Sequence, residues 1–305
     1  MKEWKISVIV PTLQAGLFLP RQLEALHMQN TPPSEIILVD SGSTDDTLEI
    51  AELEGCIVEN IRQSEFRHGR ARNIGARKAQ GDVLVFLTQD AVPVFPNFLE
   101  QLCNPLEKEC AAASAKQIHY PDANPLVIFA RHFNYPDQSM VRTRTDVNKL
   151  GIKAYFFSNS ASAVRRDEFW SVGGFSEEVI VNEDMLLCAQ LLKKGASVAY
   201  VAEALVYHSH NYSLKKLFKR YFDIGAFFSQ SASQLLGAKV ENEGRWFFMQ
   251  AFRALANQHA LHWLPLLVAE SGVKYLAFQL GRQYRRFSPQ ICSHFSAQPQ
   301  YWTGL

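Results

Sequence analysis

Before residue 92 the chain sets out four short apolar runs, three of which end in polar residues and each of which is separated from the next by a helical segment. Residues 6–10 run into Pro11 and Thr12, residues 36–39 into Asp40, Ser41 and Gly42, and residues 83–87 into Thr88, Gln89 and Asp90. A shorter run surrounds Val58. Between them, residues 19–27 place Leu19, Leu23 and Leu26 at helical spacing, and residues 45–53 open acidic behind Ser43 and Thr44, which can cap them. A further helix over residues 70–79 stops at Gly81. Strands separated by helices of about ten residues form right-handed βαβ units and a parallel sheet. Ligands of such sheets sit beyond the carboxyl ends of the strands, so the polar strand ends are candidates for one site on an α/β fold.

The middle of the chain is mixed. Residues 111–118, 156–164, 198–201 and 204–207 read as strands, and residues 183–194 as a helix ended by Gly195. Residues 124–150 are rich in Pro, Arg and Asp with weak periodicity and read as a long loop or flap. From Ser213 the pattern is helical to about Phe287, with breaks at 237–244 and at Ser271–Gly272. The expected division is a catalytic domain over 1–212, with halves 1–110 and 111–212, and a helical extension over 213–305.

Composition narrows the classes. The chain is 47% hydrophobic and 20% charged over 305 residues, enough for a large core. A net charge of +1 supplies no field for nucleic acid, and none is expected as a partner. Five scattered cysteines without CxxC spacing read as reduced thiols of a cytoplasmic protein. The N-terminal apolar run is too short for a secretory signal, and no stretch reaches the ~18 apolar residues of a membrane span.

Six segments carry residues suited to chemistry. The Asp40 carboxylate can accept the imide N–H of uracil or thymine while Ser41, Gly42 and Ser43 admit backbone to a ligand; the same residues also read as a turn and helix cap. Asp90, after Thr88 and Gln89, can hold a divalent cation that stabilises a departing diphosphate, or merely terminate its strand. Residues 62–73 bring Arg67, His68, Arg70 and Arg72 to a helix N-terminus just ahead of Asn73, a phosphate site or a solvated basic turn. Glu183 and Asp184 follow Asn182, a good N-cap, and an ionised carboxylate aimed into a cleft can act as general base. Gly173 and Gly174, before Phe175, let backbone approach a ligand. His208 and His210, at strand spacing, face one way and can meet a metal or a diphosphate.

Taken in order, VIVPT at 8–12, ILVDSGSTDDT at 37–47, HGRARNIGA at 68–76, GDVLVFLTQDA at 81–91, GGF at 173–175 and NED at 182–184 resemble inverting GT-A-fold glycosyltransferases of family 2. The resemblance implies a Rossmann-like nucleotide-binding sheet fused to a mixed acceptor-side region. It implies a base pocket lined by Pro11, Thr12 and Asp40, a metal carboxylate at Asp90, and a general base at Asp184 with Glu183 beside it. Thr88 stands where the family's metal motif usually carries its first carboxylate, so Mg2+ or Mn2+ would rest on Asp90, diphosphate oxygens, water and His208 or His210. TQDA, FRHGRARN and HSHNYS are similar to bacterial rhamnosyltransferases of surface-polysaccharide assembly, which implies dTDP-L-rhamnose as donor and a glycan or lipid-linked acceptor.

Other readings fare less well. A UDP-sugar donor stays open, because uracil and thymine present the same imide. A regulatory nucleotide binder would keep Asp40 but has no use for Asp184. A nucleotidyltransferase lacks its Gly-rich, Lys-bearing loop here, and PTLQAG after Val10 is no dinucleotide fingerprint. Leu214, Leu217, Phe218, Tyr221 and Phe222 form an apolar stripe beside Lys215, Lys216, Lys219 and Arg220. That stripe either lies on the anionic inner face of the cell membrane or packs on protein.

Overall fold

The computed structural model describes residues 4–235 and 243–303. The alternating runs become β1 (Ile6–Thr12), α1 (Leu19–His27), β2 (Glu35–Asp40), α2 (Thr47–Leu53), β3 (Ile57–Asn60), α3 (His68–Lys78) and β4 (Val83–Leu87). β3, β2, β1 and β4 lie side by side and parallel. Every residue of β4 is buried, as the near-continuous apolar run of a sheet covered on both faces requires. Register sets Thr12 opposite Asp40, so the polar ends of β1 and β2 meet.

The chain continues through β5 (Val92–Pro93), α4 (Phe98–Glu107), β6 (Cys110–Ile118), α5 (Pro125–Asn134), β7 (Met140–Arg142), α6 (Val147–Leu150), β8 (Ala161–Arg165), α7 (Arg166–Ser171), α8 (Glu183–Lys194) and β9 (Ser197–Tyr207). β8 inserts antiparallel between β4 and β6, β9 runs parallel to β6, and β5 and β7 both pair antiparallel with β9. The order is β3-β2-β1-β4-β8-β6-β9-β5. One core joins Val8, Val10, Leu38 and Val85 to Leu23 and Leu26 of α1 and to Phe98 and Leu102 of α4.

Several expectations give way. Residues 124–150 are not a loop: they hold α5, β7 and α6. The strand expected over 156–164 begins only at Ala161. The two strands expected at 198–207 are one, with an irregularity in its pairing between Ala115 and Lys116 that absorbs the polar Glu203. α2 starts at Thr47, because Ser43 and Thr44 spend their hydroxyls on Asp40 and Gln14 instead of capping. Asn182 takes φ 58°, not the extended backbone of a capping residue.

The described chain divides into two compact units. The first comprises the chain up to Ile118, Tyr135–Glu177 and Glu183–His208, and contains the sheet. The second comprises His119–Asn134, Glu178–Asn182 and Ser209–Leu305. Its helices are α5 with α9 (Leu214–Ser231), α10 (Glu243–Asn257), α11 (Leu264–Arg282), α12 (Pro289–Phe295) and α13 (Pro299–Thr303). The break expected at 237–244 falls largely outside the described residues, while Gly244 lies within α10. α11 runs unbroken through Ser271 and Gly272. Leu217 and Phe222 of the apolar stripe turn inward, and Phe218 and Phe222 meet Phe295, with Trp302 against Phe222. The five cysteines are unpaired, and no helix among the described residues is long and apolar enough to cross a membrane.

α9 and α11 cross backbone to backbone. A Cβ on Gly281 would stand 2.0 Å from the Phe222 carbonyl oxygen, and one on Gly225 2.2 Å from that of Phe278. Replacing an exposed helical glycine by alanine ordinarily stabilises by up to about 1 kcal/mol. Gly281→Ala is expected to do the reverse, lowering stability by about 1–3 kcal/mol, the scale of overpacking. A fall in the urea midpoint at constant slope reads this out; an unchanged or raised midpoint contradicts the close crossing.

Candidate active site

Asp40 is 1% exposed and turned into its own loop. One carboxylate oxygen accepts from Thr12 Oγ1 at 3.0 Å and Ser43 Oγ at 2.6 Å, the other from the backbone N–H groups of Gly42 and Ser43 at 2.9 and 2.8 Å. Ser41 donates both its hydroxyl and its N–H to the Thr12 carbonyl. A carboxylate has about four acceptor positions, and the loop fills them. Asp40 therefore shapes the β1–β2 mouth, and pairing it with a base imide requires one of these donors to turn away. Pro11 sits half-buried at the same strand end.

At the end of β4, Gln89 locks onto the β1 end: its Oε1 accepts from Leu13 N–H and its Nε2 donates to the Leu13 carbonyl. Gln22 of α1 donates to the carbonyls of Thr88 and Ala91. Asp90 meets His208, with Nε2 3.5 Å from Oδ1. Gln117 Nε2 donates to Ser158 Oγ, which turns Gln117 Oε1 to His208 Nδ1 at 2.8 Å. An amide oxygen only accepts, so Nδ1 carries the proton. Nε2 of a neutral ring then presents its lone pair to a carboxylate, and two facing acceptors call for a shared cation or proton. Asp90 and His208 thus fit a divalent cation. His210 follows two residues later, in the second unit.

Arg72 and Asn73, expected at the donor, are 3% and 2% exposed and engaged with protein. Asn73 Oδ1 accepts from Phe175 N–H while its Nδ2 donates to the Phe175 carbonyl and to Glu177. Gly174, at φ 75°, lies so close that a Cβ would stand 2.8 Å from Asn73 Oδ1. Phe175 itself is core, edge-on to Phe86 and Phe169. Gly173, at φ 86°, makes the turn. Gly174 thereby fits the loop onto α3 and α7, while a Cβ on Gly173 would meet open space. His68 remains partly exposed at the head of α3, edge-on to Phe66.

Arg72 Nη1 donates to the His68 carbonyl and, at 3.1 Å, to Glu183 Oε1. Asn159 Nδ2 donates to that same Glu183 oxygen, and the Asn159 N–H donates to Asp184 Oδ2 at 3.0 Å. Asp184 Oδ1 accepts from Met185 N–H. Burial first, and then the charge of Glu183, push the Asp184 carboxyl up to about 7, against the opposing pull of the two N–H groups and Arg72. A carboxyl tuned near neutrality is a competent general base. Asn159, Ser158 and Gln117 escaped the sequence reading. The polar Ser158-Asn159-Ser160 at the mouth of an apolar strand was the available signal.

Comparison with known proteins bears on this geometry. The model of glycosyl transferase family 2 matches residues 7–173. The chain is 37% identical to the O-antigen chain rhamnosyltransferase RfbN of Salmonella typhimurium, over 99% of this chain and 97% of that one. It is 37% identical to the O-antigen chain rhamnosyltransferase WbaN of Salmonella anatum, over 98% and 96%. In structure it is similar to the mannosyltransferase PcManGT from Pyrobaculum calidifontis in complex with GDP-Man and Mn2+, with TM-score 0.59, 18% identity and coverage of 98% of this chain and 85% of that one. It is also similar to S. aureus TarS 1–349 in complex with UDP-GlcNAc, with TM-score 0.55, 18% identity and coverage of 92% and 91%. The sheet, the strand-end site and these matches agree: the chain is a GT-A-fold glycosyltransferase and belongs to glycosyltransferase family 2.

Proposed function

We propose that this enzyme transfers L-rhamnose from dTDP-L-rhamnose, with inversion, to a hydroxyl of a glycan or lipid-linked acceptor in surface-polysaccharide synthesis. The observation that carries the sugar is the near-full-length identity to two proteins named as O-antigen chain rhamnosyltransferases. In this reading residues 1–110 form the donor half and 111–212 the acceptor half, with 213–305 as a helical extension. Pro11, Thr12, Asp40 and Ser41 form the base pocket, and Thr88, Gln89 and His68 border the diphosphate. Arg72, Asn73, Gly173, Gly174 and Phe175 support that border from behind.

Asp90 and His208 would hold Mg2+ or Mn2+, which supplies positive charge against the leaving diphosphate. Asp184 takes the acceptor proton as the acceptor oxygen attacks the anomeric carbon from the face opposite the diphosphate. One displacement inverts the centre without a covalent intermediate.

The acceptor reading also favours a place on the cytoplasmic face of the membrane. The apolar stripe of α9 is partly covered, so the lipid-facing surface is better sought on α10 and α11. α10 exposes Trp246, Met249 and Phe252 between Arg245 and Arg253, and α11 exposes Val268, Tyr275 and Leu276. Residues 209–305 hold eleven Lys and Arg against four Asp and Glu, a balance drawn to anionic lipid. Flotation with phosphatidylglycerol vesicles at low salt should carry the protein upward, and Trp246→Ser with Phe252→Ser should leave it below. Wild-type protein remaining at the bottom contradicts membrane attachment.

Donor identity is tested by thermal shift across nucleotide-sugars in Mn2+. The thymine methyl and the absent 2′-hydroxyl each alter binding by ~1–2 kcal/mol. dTDP-L-rhamnose and dTDP should therefore stabilise more than UDP-glucose, UDP-galactose or UDP-N-acetylglucosamine. A larger shift from any UDP-sugar overturns the rhamnose assignment.

A further inference from the structure

The sequence groups Glu183 with Asp184 as a pair of acids at a helix start, either of which can serve as base. Their surroundings separate them. Glu183 is 5% exposed, and one of its oxygens accepts from both Arg72 and Asn159. Asp184 is only partly buried, and each of its oxygens accepts one backbone N–H. That geometry commits Glu183 to Arg72 and Asn159 and leaves Asp184 the more exposed carboxylate of the two.

We propose that Glu183 is a positioning residue: clamped between Arg72 and Asn159, it orients the Asn159 backbone N–H that aims the Asp184 carboxylate. The inference rests on Asp184 being the base. The mechanical path is short. Arg72 is anchored through His68 on α3, Glu183 is anchored to Arg72, the Asn159 side chain is anchored to Glu183, and the Asn159 N–H holds Asp184 Oδ2. Ser162 Oγ also donates to Asn159 Oδ1, so the side chain is gripped at both ends. The electrostatic consequence follows from the same placement. The charged groups acting on Asp184 are Glu183 of its own helix and Arg72 from α3; Cys188, one turn on, is pushed up to about 12 by burial and stays neutral. Burial raises the base first, the charge of Glu183 adds to that rise, and Arg72 offsets part of it.

The test compares Glu183→Gln and Glu183→Ala with wild type, measuring release of nucleoside diphosphate against pH, with donor KM and thermal melting on the same samples. Wild type loses kcat as pH falls through about 7, where Asp184 takes up a proton. In Glu183→Gln the amide oxygen still accepts from Arg72 and Asn159 but the charge is gone. Turnover should persist, donor KM should stay within about twofold, and the acid limb should move down by about one pH unit. Glu183→Ala should lose at least about tenfold in kcat at unchanged donor KM, since Asn159 is no longer held. Arg72→Lys, which keeps the charge, should lose less kcat than Arg72→Met. If Glu183→Gln is inactive at every pH while still folded, Glu183 is itself the base and the proposal fails. An unmoved acid limb with full activity in both variants also overturns it. Absence of nucleoside diphosphate release by wild type would instead defeat the transferase reading.

Discussion

The site depends on three consecutive residues, Ser158, Asn159 and Ser160, that the sequence offers as little more than a polar interruption. The Ser160 carbonyl accepts from Thr88 N–H at the end of β4. Ser158 Oγ accepts from Gln117, which in turn sets the ring of His208 beside Asp90. Asn159 holds Glu183 through its side chain and Asp184 through its N–H. Strand end, candidate cation ligands and candidate base are therefore tied to one short segment fixed by β8, which begins at the next residue. Hydrogen bonds to charged groups contribute about 1.5–3 kcal/mol each. Their value here is positional, since catalytic groups must be held to within a fraction of an ångström.

Around that hub, buried polar residues act on protein groups more than on open space. Asp40 gathers Thr12, Gly42 and Ser43 into a closed loop. Asn73 clasps the backbone of Phe175 as a strand partner would. Gln89 does the same to Leu13. Each satisfies backbone groups that a ladder does not reach, as buried amides must be satisfied. The strand-end loops are thereby held in place by residues that a motif reading assigns to ligand contact.

The first four strands and their helices were legible because apolar runs of strand length and helical leucine spacing admit one pairing. The leucine spacing of Leu19–His27 and the Gly195 stop after Glu183–Lys194 give the bounds that the structure shows. α5 was hidden by its surroundings: its apolar face is completed by Phe247 and Leu267, more than a hundred residues away, and periodicity within a Pro- and Asp-rich stretch cannot report that. α4 went unread, with Pro105 inside its last turn. Asp184 and Asp90 were named from position, while Arg72 and Asn73 were assigned to the donor because a motif shows residue type but not direction. Asn159 and Gln117 were missed because their roles exist only once β6, β8 and α8 are assembled.

The central claim is that Asp184 removes the acceptor proton while leaving donor binding to other residues. Steady-state turnover and calorimetric donor binding on Asp184→Asn, which keeps the size of the side chain and an acceptor for one of the two N–H groups but cannot take up a proton as a carboxylate does, test it most directly. The account predicts a fall in kcat of at least ~10²-fold, the scale of losing a general base, with donor Kd near that of wild type. Donor affinity lost in step with kcat, or turnover close to wild type, would contradict it.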